Sequence, residues 1–178
     1  IRGIVGQDLE INHAAQIGQA IGTQAQAAGN STVVVARDGR LSSIELQDKL
    51  VEGLLASGCD VIDIGLVPVP VLYFAVEHLA TGSGVMVTGS HNSPEYNGFK
   101  VVINGEALVD DQIAHLQTLI SDQSLSQGTG SLRTEDVVDV YIDQIADDVV
   151  FASPMKIVLD CGNGAAGEVA PMLFASMG

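Results

Sequence analysis

Apolar residues recur along this chain in two rhythms. Ala14, Ile17, Ala20, Ile21, Ala25 and Ala28 fit one face of a helix, with Asn12 placed to cap its start and Gly29 just past its end. A short β-branched run at 32–36 then reads as a buried strand. Ser42 with Glu45 predicts a capping box, opening a helix that carries Ile44, Leu50, Val51, Leu54 and Leu55 and closes at Gly58. The alternation continues with a strand at 60–64 and a helix carrying Val71, Leu72, Ala75, Val76 and Leu79, its entry stiffened by Pro68 and Pro70. Strands at 84–88 and 100–103 bracket a polar loop that ends in an Asn97-Gly98 turn. Asn104-Gly105 makes another turn, and Asp110 or Asp111 caps a helix with Ile113, Leu116, Leu119 and Ile120. Residues 121–131, rich in Ser, Gly and Gln, read as a surface connection. A last helix at about 135–150 carries Val138, Tyr141, Ile142, Ile145 and Val149. Strand and helix alternating in this way predict an α/β fold, a mixed β-sheet with helices on both faces.

A break falls at Phe151-Ala152-Ser153-Pro154. Residues 1–153 are expected to form one domain, and 154–178 the beginning of a second, similar α/β domain. That second piece reads as a strand at 155–160, a glycine-rich turn from Cys161 to Gly167, and a helix through Leu173. A strand, glycine-rich turn and helix invite a nucleotide-binding reading. The turn has neither the Lys-Ser/Thr of a P-loop nor the dinucleotide glycine spacing, so that reading is set aside.

Composition narrows the function classes. An apolar fraction of 47% is ample for a core. The formal charge of -15 argues against nucleic acid and anionic membrane as partners. Only seven residues are basic, and Arg2, Arg37, Arg40 and Lys100 fall in motif-like segments. Asp139, Asp143, Asp147 and Asp148 recur at helical spacing and read as a solvated face rather than metal ligands. The longest apolar run, 67–76, is broken by two prolines and too short to span a bilayer, and the opening residues do not read as a signal peptide. Cys59 and Cys161 lie far apart without metal-site spacing, and free thiols are the expectation for a cytoplasmic protein.

The chemistry concentrates between Val85 and Ile103. A hydroxyl at Ser90 stands beside Gly89 and is followed by the imidazole of His91 and the amide of Asn92; Lys100 comes two residues after the expected turn. A hydroxyl, an imidazole and an ammonium at one end of a sheet suit transfer of an anionic group. A serine-hydrolase elbow is excluded, because Thr88 stands where that motif needs glycine. Asp38 and Arg40 fall between a strand end and a helix start, a common ligand position in α/β proteins. A salt-bridged turn is the plainer reading of that segment.

Thr88-Gly89-Ser90-His91-Asn92, then Pro94, then Tyr96-Asn97-Gly98-Phe99-Lys100, resembles the phosphoserine loop of the α-D-phosphohexomutases, most closely the bacterial phosphomannomutase/phosphoglucomutase group. Ser93 departs from the family pattern, which usually has proline there. The resemblance implies that Ser90 carries a phosphoryl group, with His91 and Lys100 lining the same cleft. Arg2, in the Ile1-Arg2-Gly3 opening, would lie near the phosphoserine, and Asp38, Arg40, Asn92 and Asn97 would support the loop. It further implies interconversion of hexose 1-phosphate and hexose 6-phosphate through a hexose 1,6-bisphosphate. One Mg²⁺ would be held by the phosphoserine of Ser90 and by aspartates outside this chain. Phosphosugar and the remaining domains of the same enzyme would be the partners, and this N-terminal portion alone would be inactive. The alternative from another class is a stand-alone, non-catalytic module that binds phosphate or protein through the same loop. A reading frame that runs on to an acidic metal loop would favour the enzyme.

Overall fold

The structure, a computed structural model, describes residues 1–153 and 155–177. It has the α/β architecture that the alternating pattern predicts. Among the described residues seven strands form a mixed sheet: β1 (Arg2–Ile4), β2 (Thr32–Arg37), β3 (Asp60–Leu66), β4 (Ser83–Val87), β5 (Tyr96–Ile103), β6 (Glu106–Ala107) and β7 (Leu132–Thr134). Their order is β1-β5-β4-β2-β3-β7, with β6 paired to β5. Strands β4, β2, β3 and β7 run parallel, and β5 runs antiparallel to β4, to β1 and to β6.

The helices are α1 (His13–Ala27), α2 (Leu41–Ser57), α3 (Val69–His78), α4 (Asp110–Ser121), α5 (Val138–Asp148) and α6 (Ala166–Ser176). Side chains alternate across a strand, so each strand feeds two cores. Val33, Val35, Val85, Val87, Phe99 and Val101 pack beneath α1, α2 and α4. Val34, Ala36, Met86 and Val102 pack beneath α3, α5 and α6. The central parallel strands β2 and β4 are buried on both faces, which is why residues 33–36 read as a continuous apolar run.

Several local expectations are corrected. Asn12 stands at the start of α1 but its side chain makes no capping bond. Ser42 and Glu45 form no capping box; Arg40 occupies the N-cap of α2, and Ser42 lies inside the helix. Ile44 is 50% exposed rather than core. Val109, not Asp110 or Asp111, stands at the N-cap of α4, its N–H bonded to Gln112 Oε1 at 3.1 Å. The connection at 121–131 leads into β7, whose three residues are all exposed and carry no alternation to read.

The strand expected at 155–160 does not form. Its apolar side chains stand in solvent, Val158 at 89% exposure. A strand needs a hydrogen-bonded neighbour, and none lies beside this segment among the described residues. The helix that follows does form, and α6 packs on α5 with Val169 buried. The expected break at 151–154 includes Pro154, which lies outside the described residues, as does Gly178.

Candidate active site

β2 and β4 are adjacent parallel strands that end together, Arg37 opposite Val87. Beyond them the chain leaves the sheet in two loops, residues 38–40 and 88–95. The first ends at the N-terminus of α2, and the second returns into β5. A crevice outside the carboxyl ends of parallel strands is where α/β sheets bind ligands.

Arg40 grips the second loop by its carbonyls. Its Nη1 donates to Ser93 O at 2.7 Å and to Tyr96 O at 3.1 Å. Its Nη2 donates to Ser90 O at 3.1 Å and to Asn92 O at 2.6 Å. The remaining donor, Nε, meets Asp38 Oδ2 at 3.2 Å. All five N–H groups of the guanidinium are thus used, which only the planar fork of arginine allows. Gly89 has to be glycine here. A Cβ would lie 2.5 Å from the Arg40 Cζ and 2.6 Å from the Tyr96 carbonyl oxygen.

Asp38 sits under the loop. Its Oδ1 accepts from the Arg40 N–H at 3.1 Å and the Ser43 hydroxyl at 2.6 Å; its Oδ2 accepts from the Thr88 hydroxyl at 2.7 Å and the Gly89 N–H at 3.3 Å. A carboxylate at the N-terminus of α2 is further favoured by the helix dipole.

Ser90 is half-buried, just before the exposed stretch 91–95, with φ of 53°, a left-handed backbone that is unusual for serine. Arg2 reaches it from β1: Nη2 donates to Ser90 Oγ at 2.7 Å, and Nη1 donates to Asn92 Oδ1 at 2.8 Å. Arg2 is aligned with Gly98 in the β1–β5 pair, and Lys100 lies two residues along β5 on the same face. Lys100 is half-buried opposite Met86, and its side chain makes no hydrogen bond among the described residues. His91 is exposed on the loop, likewise without a hydrogen bond among them. The Ser93 hydroxyl donates to Glu95 Oε1 at 2.6 Å and holds that carboxyl below the ordinary range.

Asn97-Gly98 is not a turn. Both residues belong to β5, so Lys100 lies inside the strand rather than at its start. Asn97 is fully buried, and its Nδ2 donates to the hydroxyls of Ser42 and Ser43 at 2.9 Å each. Gly98 allows the close approach of β1; a Cβ would lie 2.1 Å from the Ile1 carbonyl oxygen. Asn-Gly is the strongest short turn signal, but here packing against β1 and α2 overrides it. Thr88, Ser42 and Ser43 were not legible as site residues. Each is a small hydroxyl in an apolar or helical setting, and only the fold brings Thr88 and Ser43 to Asp38 and Ser42 to Asn97.

The arrangement presents a hydroxyl bonded by a guanidinium, with an imidazole next in sequence and an ammonium on the strand that follows, on an otherwise acidic protein. A guanidinium donating to that hydroxyl is chemistry suited to holding an anionic group at Ser90.

Residues 1–127 match the phosphoglucomutase/phosphomannomutase family, α/β/α domain I. The whole chain is 50% identical over 178 residues to a phosphomannomutase/phosphoglucomutase of Pseudomonas aeruginosa, covering 38% of that protein. It is 39% identical over 180 residues to a phosphoglucomutase of Neisseria gonorrhoeae, covering 39% of it. A crystal structure of a phosphoglucomutase/phosphomannomutase family protein from Burkholderia thailandensis superposes on 99% of the chain with a TM-score of 0.94 and 45% identity, over 40% of that structure. The chain therefore spans well under half the length of these relatives. The fold, the loop at Ser90 and these matches agree: the chain belongs to the phosphoglucomutase/phosphomannomutase family, and it carries that family's first α/β/α domain.

Proposed function

We propose that the full-length protein is a phosphohexomutase that interconverts hexose 1-phosphate and hexose 6-phosphate, of mannose and glucose, with Ser90 as the phosphoryl carrier. Ser90 passes its phosphoryl group to a hexose monophosphate. The resulting hexose 1,6-bisphosphate turns over in the cleft and returns its other phosphate to Ser90. The observation that carries this reading is the Arg2 guanidinium 2.7 Å from a serine hydroxyl whose loop is fixed by Arg40. Arg2 would hold the phosphoryl oxygens, and Lys100 on the same face would add positive charge as the serine oxygen becomes nucleophile or leaving group. His91 is the group nearest in sequence that can move a proton at that oxygen.

Mg²⁺ fits this chain only through the phosphoserine. Among the described residues no three carboxylate, imidazole or thiol groups cluster as a metal site. Asp38 lies beneath the loop with both oxygens already bonded to Ser43, Thr88 and the Arg40 segment. When bound, the metal would neutralise phosphoryl charge, and its other ligands are expected from the rest of the protein. We place the domain at residues 1–153 and the start of the second at 154–178. The free thiols Cys59 and Cys161 suit a reducing compartment, so the cytoplasm is the proposed location.

The test is direct. Incubate the full-length protein with a hexose 1,6-bisphosphate and map phosphate by mass spectrometry. Phosphate is expected on Ser90 and lost in Ser90→Ala; phosphate on another serine with Ser90 bare overturns the assignment.

A further inference from the structure

We propose that Thr88 is a positioning residue for Ser90, acting at the end of a buried chain of hydrogen bonds that begins at Asn97. The inference rests on Ser90 as the phosphoryl carrier. A left-handed φ is strained for an L-residue, so Ser90 keeps it only if its surroundings impose it. Arg40 secures the carbonyls of the loop, but carbonyl contacts alone leave the Ser90 N–H free to rotate away. That N–H donates to Thr88 Oγ1 at 2.9 Å. Thr88 is only 4% exposed, so water does not readily replace it.

The direction of this bond is set further inside. The Thr88 hydroxyl has one proton, and it goes to Asp38 Oδ2 at 2.7 Å. Its lone pair is thereby left facing the Ser90 N–H. Asp38 is kept in place at its other oxygen by the Ser43 hydroxyl at 2.6 Å. The Ser43 oxygen accepts in turn from Asn97 Nδ2 at 2.9 Å, and both residues are fully buried. Asn97 belongs to β5, opposite Gly3. The chain Asn97, Ser43, Asp38, Thr88 therefore ties the backbone of Ser90 to the strand that also carries Lys100 and aligns Arg2. One consequence is that the hydroxyl of Ser90 and its two cations share a single frame. A valine at 88 would fill the same space while leaving the Ser90 N–H and one Asp38 lone pair without their partner.

Compare full-length wild type, Thr88→Val and Thr88→Ser. Measure the rate of Ser90 phosphorylation from hexose 1,6-bisphosphate by intact mass, kcat and KM for hexose 1-phosphate, and the melting curve. Thr88→Val is expected to lower both the phosphorylation rate and kcat about 10- to 100-fold, the usual scale for a misplaced reacting group. KM should stay within about threefold, since no substrate contact is removed. Thr88→Ser, which keeps the hydroxyl, should recover most of the rate. A folded Thr88→Val with wild-type phosphorylation overturns the inference. So does a loss that merely follows the unfolded fraction, or a Thr88→Ser as slow as the valine variant. If Thr88→Val does not fold, Ser43→Ala reads the same chain one bond further out, and an unchanged phosphorylation rate there overturns the inference. Wild type that takes no phosphate on Ser90 overturns the carrier reading and this one with it, whereas a normal wild type with an indifferent Thr88→Val leaves the carrier reading standing.

Discussion

Arg40 and Lys100 carry the same charge and are expected to behave oppositely on mutation. Arg40 is partly buried and spends every donor on the serine loop and Asp38. Arg40→Lys keeps the charge but loses the fork, leaving at least two loop carbonyls without their donor. A loss of about 2–4 kcal/mol is expected on urea denaturation, from hydrogen bonds to a charged group. Lys100 pairs with Met86 across the strands but its side chain has no hydrogen bond among the described residues, so that side chain's folding role is small. Lys100→Met in the full-length protein should leave the melting temperature nearly unchanged and lower turnover about 100-fold. Near-normal turnover with a large stability loss would show the lysine to be structural. Ser90, Asp38 and Arg40 were legible as candidates because hydroxyl, carboxylate and guanidinium sit at strand ends in the sequence. The left-handed backbone of Ser90 was not legible, nor the burial of Asn97. Both depend on which strands lie side by side, and Asn97 carries the same local signal as a hairpin turn.

At the scale of elements, the pairing of α1 with α2 makes a sharp prediction. Gly53 lies inside α2, where glycine is a poor helix former. A Cβ there would sit 1.9 Å from the Ala15 carbonyl oxygen, and one at Gly18 would sit 2.2 Å from the Leu50 oxygen. The two helices therefore touch backbone to backbone. Gly53→Ala gains about 1 kcal/mol of helix propensity. Against this, overpacking costs about 1–3 kcal/mol even where side chains yield, and the obstacle here is backbone. A net loss of at least about 1 kcal/mol is expected by chemical denaturation; a more stable variant would show that the helices separate freely. The elements themselves were largely readable, because α1, α2, α3 and β2 to β4 carry clean periodicities and Gly29 and Gly58 close helices with φ of 90° and 96°. The two failures at strands have one cause. β7 is three exposed residues recruited by β3, and 155–160 is apolar and β-like but unpaired. A strand is a property of two segments, and periodicity describes one.

For the whole molecule, the distribution of charge and apolar surface bears on what this chain does by itself. Four of the seven basic residues, Arg2, Arg37, Arg40 and Lys100, lie near the carboxyl ends of β2 and β4, while the net charge is -15. Local cations on an acidic body can hold one anionic group at Ser90 but cannot enclose a substrate that carries a second phosphate. The sheet has both faces covered, and its core is rich in aliphatic residues, so the 178-residue chain should fold cooperatively. Residues 155–160 are different: Met155, Ile157, Val158 and Leu159 are between 44% and 89% exposed. An apolar segment with no strand partner among the described residues pairs with whatever strand edge it meets. The isolated chain should therefore associate increasingly with concentration, which sedimentation will register, and a charged substitution such as Val158→Lys should reduce that association. Turnover should be absent. The mutase cycle needs charge neutralisation on the transferring phosphoryl group, a hold on the sugar ring and a site for the distal phosphate. Of these, this chain offers only the proposed carrier serine and the cations of its segment. Assayed with mannose 1-phosphate and glucose 1-phosphate, Mg²⁺ and bisphosphate, the purified chain should be inactive, even where Ser90 accepts a phosphate slowly. Robust turnover in a preparation free of host mutase would overturn both the division of labour between domains and the cycle proposed for Ser90.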